Sequence, residues 1–92
     1  MGLSSGYGRQ FRISALTGDQ SVKATPGTLL SLLVSNGDAA TQTVTIKDGG
    51  TTLIVLRFLA GTSTSLRVGT NHGTSIILTP SDADLDILAF YT

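Results

Sequence analysis

The sequence predicts an all-β fold, a small antiparallel β-sandwich of about eight short strands. Three observations lead there. Thr, Ser, Val and Ile are abundant, Glu is absent and Lys occurs only at Lys23 and Lys47. Apart from Leu, the long unbranched side chains that favour helices are therefore scarce. Short apolar segments alternate with turn residues every ~8–12 positions, the rhythm of sandwiches and small barrels. No segment sustains the i, i+3, i+4, i+7 spacing of an amphipathic helix.

Taken in chain order, residues 1–9 read as a flexible, Gly/Ser-rich arm anchored only by Leu3 and Tyr7. Residues 10–92 read as one domain. Strands are expected near 10–16, 21–24, 28–36, 42–47, 51–59, 64–68, 75–79 and 85–91. Thr25-Pro26-Gly27 suits a type II turn, because Pro presets the first central residue and Gly accepts positive φ at the second. Asn36-Gly37-Asp38 and Asp48-Gly49-Gly50 carry hairpin chemistry for the same reason. Asn71-His72-Gly73 and Pro80-Ser81-Asp82 are expected to close the later strands. The clearest element is the hairpin from Gln42 to Leu59. There Val44 and Ile46 alternate with Thr43, Thr45 and Lys47, a period of two with one apolar face.

Two strands break that alternation. Leu29, Leu30, Leu32, Leu33 and Val34 are apolar almost without interruption, and so are Leu53 to Leu56 with Phe58 and Leu59. A continuous apolar run implies that both faces of a strand are covered, whereas a two-layer sandwich covers only one. Either a bulge shifts the register, or some Leu are singly exposed as is common on protein surfaces, or the second face meets a partner, a symmetric copy being the simplest. The candidate interface residues are Leu3, Tyr7, Leu30, Leu33, Ile54, Leu56, Phe58 and Tyr91. Phe90 and Tyr91 alternate, so one ring faces the core and the other faces out.

Size and charge narrow the function. A 92-residue chain buries only about 60–65% of its unfolded surface and usually needs reinforcement. Without Cys, disulfides cannot supply it, and His72 is the sole imidazole for a zinc site. Self-association or docking onto a larger assembly remains. Six basic residues balance six Asp, so there is no electrostatic footprint for nucleic acid or an anionic membrane. The charged fraction of 13% is roughly half that of an ordinary soluble domain. No leader pattern precedes the domain and no apolar run approaches the ~20 residues that span a bilayer. The expectation is a soluble chain made in the cytoplasm.

Motifs for chemistry are weak. His72 lies in Thr70-Asn71-His72-Gly73 and reads as an exposed turn residue. A hydrolase would need it against a Ser and an Asp, and no Ser sits in a Gly-x-Ser-x-Gly elbow. Asp82-Ala83-Asp84-Leu85-Asp86 opens like a calcium loop, but the sixth position is Ile87 where that loop needs Gly, and its twelfth falls beyond Thr92. Asp82 fits better as the cap of a tight turn. Gly6-Tyr7-Gly8 precedes a strand, whereas phosphate loops follow one. No enzyme activity, metal or other cofactor is expected.

Pro26-Gly27-Thr28-Leu29-Leu30, Val34-Ser35-Asn36-Gly37, Thr43 through Leu53, and Ala60-Gly61-Thr62-Ser63 together resemble the small β-sandwich virion proteins of tailed bacteriophages. These are capsid cement or decoration proteins and related fibre and tail modules. The resemblance spans about residues 10–92. It implies a jelly-roll-like or Ig-like sandwich, a homotrimer bound to the phage major capsid protein on the outside of the virion, and an N-terminal arm that orders on contact. It carries over no chemically defined residues. The alternative is a tail or fibre module that binds a host receptor or glycan, with Asp82, Asp84 and Tyr91 as its contacts.

Overall fold

The computed structural model describes residues 8–92; the candidate residues Leu3 and Tyr7 lie outside them. Eight strands follow in order: β1 (Arg9–Ser14), β2 (Gln20–Lys23), β3 (Gly27–Asn36), β4 (Gln42–Asp48), β5 (Thr51–Phe58), β6 (Ser63–His72), β7 (Ile76–Pro80) and β8 (Leu85–Tyr91). All eight expected strands are present. They form two four-stranded antiparallel sheets, A in the order β1-β8-β3-β6 and B in the order β2-β7-β4-β5.

The pairing has a simple logic. The β4–β5 hairpin is the fold's innermost turn, and β3 with β6, β2 with β7 and β1 with β8 pair outward from it like one long, nested hairpin. Wrapping that ribbon brings β3 against β8 and β4 against β7, which completes the sheets. Eight strands in this order make a jelly roll, the first of the two connectivities that the sequence suggests.

Strand parity builds the core. Val44 and Ile46 on β4, Leu78 on β7 and Ile87 on β8 are fully buried, each separated from the next inward residue by an outward one. Two bulges interrupt the rule along β3. Leu29 pairs with Tyr91 and Ser31 with Phe90, so β3 carries one extra residue, Leu30, against β8. Leu29 also pairs with Thr70 while Ser31 pairs with Arg67, so β6 carries an extra residue of its own. The irregularity in β6 is allowed by Gly69, whose φ of 69° suits the left-handed turn of a bulge. The bulge at Leu30 lets Leu29 and Leu32, three positions apart, both point inward with Val34. Much of the apolar run in β3 is therefore register irregularity, and Leu33 alone is turned out, at 44% exposure.

The bulge at Gly69 also explains why β6 runs on to His72 instead of stopping near Val68. The Gly-Thr-Asn-His stretch has turn composition, yet it stays in the ladder opposite Gly27 to Leu29. At the other end of the fold, β1 begins at Arg9, one residue inside the expected arm. Gly8, at φ 75°, precedes it, and a Cβ there would collide with the Tyr91 carbonyl oxygen.

Phe58 corrects an expectation. The sequence places it among the interface candidates, but at 4% exposure it belongs to the core cluster. The reason is parity: Gln42 pairs with Phe58 and Val44 with Leu56, so Leu56 and Phe58 share the inward face of the buried Val44. Phe58→Ala should lower the free energy of unfolding by about 3–5 kcal/mol in urea titrations, whereas Leu33→Ala should change it by only about 0.5 kcal/mol.

Candidate functional site

Among the described residues, and apart from Leu16 in the β1–β2 loop (45% exposed), the large apolar side chains left outside the core fall in two places. The first is the outer face of sheet A. Arg12, Leu88, Leu33 and Ser65 lie directly across from one another on β1, β8, β3 and β6, and directly opposed residues share a face. The next row along is Ser14, Asp86, Ser35 and Ser63. Between these rows runs an open groove of about 290 Å³ with Leu33 and Leu88 among its lining. Arg12 donates two hydrogen bonds to the Asp86 carboxylate, at 3.0 and 2.7 Å, along one side. That pairing holds Asp86 below the usual carboxylate range. On the other side the Ser63 hydroxyl donates to the Ser35 hydroxyl at 3.2 Å.

The second place is β5, at the free edge of sheet B. Leu53, Ile54 and Val55 are 42, 46 and 49% exposed, and Leu59 just beyond the strand is 67% exposed. Arg57 is the strand's only charge. The expected interface set thus divides. Leu33 and Ile54 are exposed, Leu30 is half-buried at its bulge, and Leu56 and Tyr91 are half-buried against the core. Tyr91 is the inward ring, since it opposes the buried Leu29; the outward ring is Phe90, which opposes Ser31 on the groove face.

His72 also differs from its expectation as an exposed turn residue. It is 3% exposed at the end of β6. Its Nδ1 lies 3.0 Å from the Lys47 carbonyl oxygen and 3.1 Å from that of Ser75. Carbonyls only accept, so Nδ1 carries the proton and Nε2 accepts from the Thr70 hydroxyl at 2.8 Å. Among the described residues, none of these partners is a Ser hydroxyl or an Asp carboxylate. Beside it, the Asp48 carboxylate accepts from the backbone N–H groups of Gly73, Thr74 and Ser75. Those three bonds, led by Thr74, hold Asp48 below its ordinary pKa. Asp48 and His72 together clamp the β6–β7 loop onto the β4–β5 turn, a role no local motif announces. His72→Phe leaves two carbonyls without their donor and should cost about 1–3 kcal/mol, read from the shift of the urea midpoint.

At the opposite end of the fold the Asp82 and Asp84 pair meets Asp38, with carboxylate oxygens of all three within 4.8 Å of one another. Asp86, the third acid of the run, points instead to Arg12 on the groove face. The loop acids are engaged locally. Asp38 accepts from the Ala40 N–H and the Gln42 amide, and Asp82 accepts from the Asp84 N–H. The Gln42 amide, then the Ala40 N–H, keeps Asp38 below its ordinary range. Asp84 moves the other way, pushed up first by its hydrogen bond to Asp38 and then by the charge of Asp82.

A carboxyl with a raised folded pKa costs stability while ionised, and that cost fades as pH falls through the raised value. Asp84→Asn should therefore raise the melting temperature slightly at about pH 7. It should leave it unchanged at about pH 3, below the ordinary Asp pKa of ~3.9. Differential scanning calorimetry at the two pH values checks this.

No family model, curated protein or solved structure matches the chain.

Proposed function

We propose that this protein is a structural component of a bacteriophage virion, a capsid cement or decoration protein that works through protein–protein contacts. The observation that carries the reading is the groove on sheet A. Its Leu33 and Leu88 floor with polar margins has the make-up of a protein interface, an apolar centre within a hydrophilic rim. A domain with a low charge fraction and apolar side chains on two separate surfaces is suited to being held between neighbours. The resemblance noted in the sequence points to the phage major capsid protein as the neighbour and to the outer virion surface as the location. It also implies a trimer, which requires two different patches meeting head to tail.

In this reading the groove face seats on the shell and neither catalysis nor a cofactor is involved. A second reading, a tail or fibre module that recognises a host glycan, draws on the Ser35 and Ser63 hydroxyls beside the Arg12–Asp86 pair, because sugars are bound by such planar charged and hydroxyl groups. Quantitative mass spectrometry of purified virions separates the two. The cement reading expects many copies per head, and Leu33→Asp should lower shell occupancy at least about tenfold, equivalent to ~1.4 kcal/mol of contact energy. Absence from the virion, or binding unaffected by Leu33→Asp, would contradict it. A few copies per particle, together with a positive glycan array, would favour the second reading.

A further inference from the structure

A β-sandwich that is not closed into a barrel has four sheet edges, and each exposes backbone donors and acceptors that invite another strand. Natural proteins blunt such edges with charge, shortness or bulges. In sheet A, β1 carries Arg9 and Arg12 within six residues. The other edge, β6, is coated with hydroxyls, carries Arg67 and is bent by the bulge at Gly69. In sheet B, β2 has only four residues, with Lys23 and a register shift among them. The fourth edge, β5, differs. Its one irregularity lies near its start, between the pairs Ile46–Ile54 and Lys47–Thr52, and the ladder from Ile54 to Phe58 is regular. Among the described residues its only strand partner is β4. Its middle is exposed Ile54 and Val55.

We propose that β5 is a self-pairing edge: two copies of this chain join β5 to β5, antiparallel across a two-fold axis near Val55. Sheet B then continues through the contact as one eight-stranded sheet. The inference does not depend on the virion reading, and its two-fold contact stands in place of the head-to-tail trimer that the resemblance implies.

The occupant is a second copy because the strand is complementary to itself. With Val55 opposite Val55, Ile54 of each chain falls opposite Leu56 of the other. Ile54 shares the inward face of Ile46 yet is 46% exposed. The sandwich is open at this edge, and the second copy's inward row supplies the missing cover. Arg57 falls opposite Leu53, where its aliphatic stem lies along an apolar neighbour and its head reaches water. The two Arg57 side chains are then four positions apart, about 13 Å along the strand, beyond the ~8 Å screening length at physiological salt. Complementary charge is one means by which an interface selects a different protein, and β5 offers a single charge for that purpose. A net charge of zero removes long-range repulsion between copies.

The test uses the full chain in sedimentation equilibrium across concentrations from about 1 μM to about 1 mM, the range in which small interfaces dissociate. The wild type should show a reversible monomer–dimer equilibrium. Val55→Lys places a charge on each side of the proposed axis and should weaken dimerisation at least about tenfold, or ~1.4 kcal/mol. Leu33→Lys, on the groove face, should leave it unchanged. As a second measurement that needs no variant, wild-type amide exchange within β5 should slow as concentration rises. A monomer at every concentration, a trimer, a dimer indifferent to Val55→Lys or lost with Leu33→Lys, or β5 exchange independent of concentration would each overturn the proposal.

Discussion

A strand in a two-layer sandwich has two faces and the core can cover only one. The rest of this structure follows from how the chain meets that constraint. Where residues alternate strictly, as in β4 and β8, burial is complete and the outward positions are polar or half-covered. Where the apolar residues are too many, the chain has two remedies. It can insert a residue and shift parity, as β3 does at Leu30, or it can leave the excess outside, as at Leu33 and along β5. The first remedy is internal. The second creates surface whose exposure to water is unfavourable until something covers it.

The nested pairing makes the excess local. Because β4 and β5 form the innermost hairpin, β5 has, among the described residues, a strand neighbour on one side only, and its apolar residues collect at a single edge. The same wrapping places β8 between β1 and β3, which aligns Arg12, Leu88 and Leu33 across the outer face of sheet A. Two apolar surfaces of different kinds result: a face with an apolar floor between polar margins, and a sheet edge with exposed apolar side chains. Polar clamps hold the ends of the sandwich. Asp48 and His72 fasten one end. At the other, the buried Asn36 amide donates to the carbonyls of Ala40 and Phe58, fixing the β3–β4 loop to the end of β5.

The strands themselves are legible in the sequence, because alternation and turn residues are local signals. Val44, Ile46 and the Asp48-Gly49-Gly50 turn suffice to place the central hairpin. The choice of jelly roll over an Ig-like order is not legible, since it depends on pairings such as Arg9 with Tyr91 that lie at opposite ends of the chain. Bulges account for most of the remaining differences. Gly69 looks like the start of a turn and is instead a bulge inside β6, so His72 lands in a ladder and not in a loop. Leu30 changes the parity of β3, so that Leu29 meets Tyr91 on the inward face that the strict alternation of β8 gives it, and Phe90 is the outward ring. Phe58 is misread from the sequence because an apolar run hides parity: only its pairing opposite Gln42 reveals which way the ring points. Of the site itself, the exposure of Leu33 and Ile54 is readable as excess, but the groove that joins Leu33 to Leu88, Arg12 and Asp86 requires three strands to be set side by side.

Apolar excess in this chain is carried on the outside, at Leu33 and along β5, and not absorbed by the core. Methyl NMR of a dilute sample with a soluble paramagnetic agent measures it residue by residue. The methyl signals of Leu33, Ile54 and Val55 should broaden strongly, while those of Leu29, Leu32, Val34 and Ile46 stay sharp. If Leu33, Ile54 and Val55 prove as sheltered as Ile46, the excess is hidden and the account is wrong.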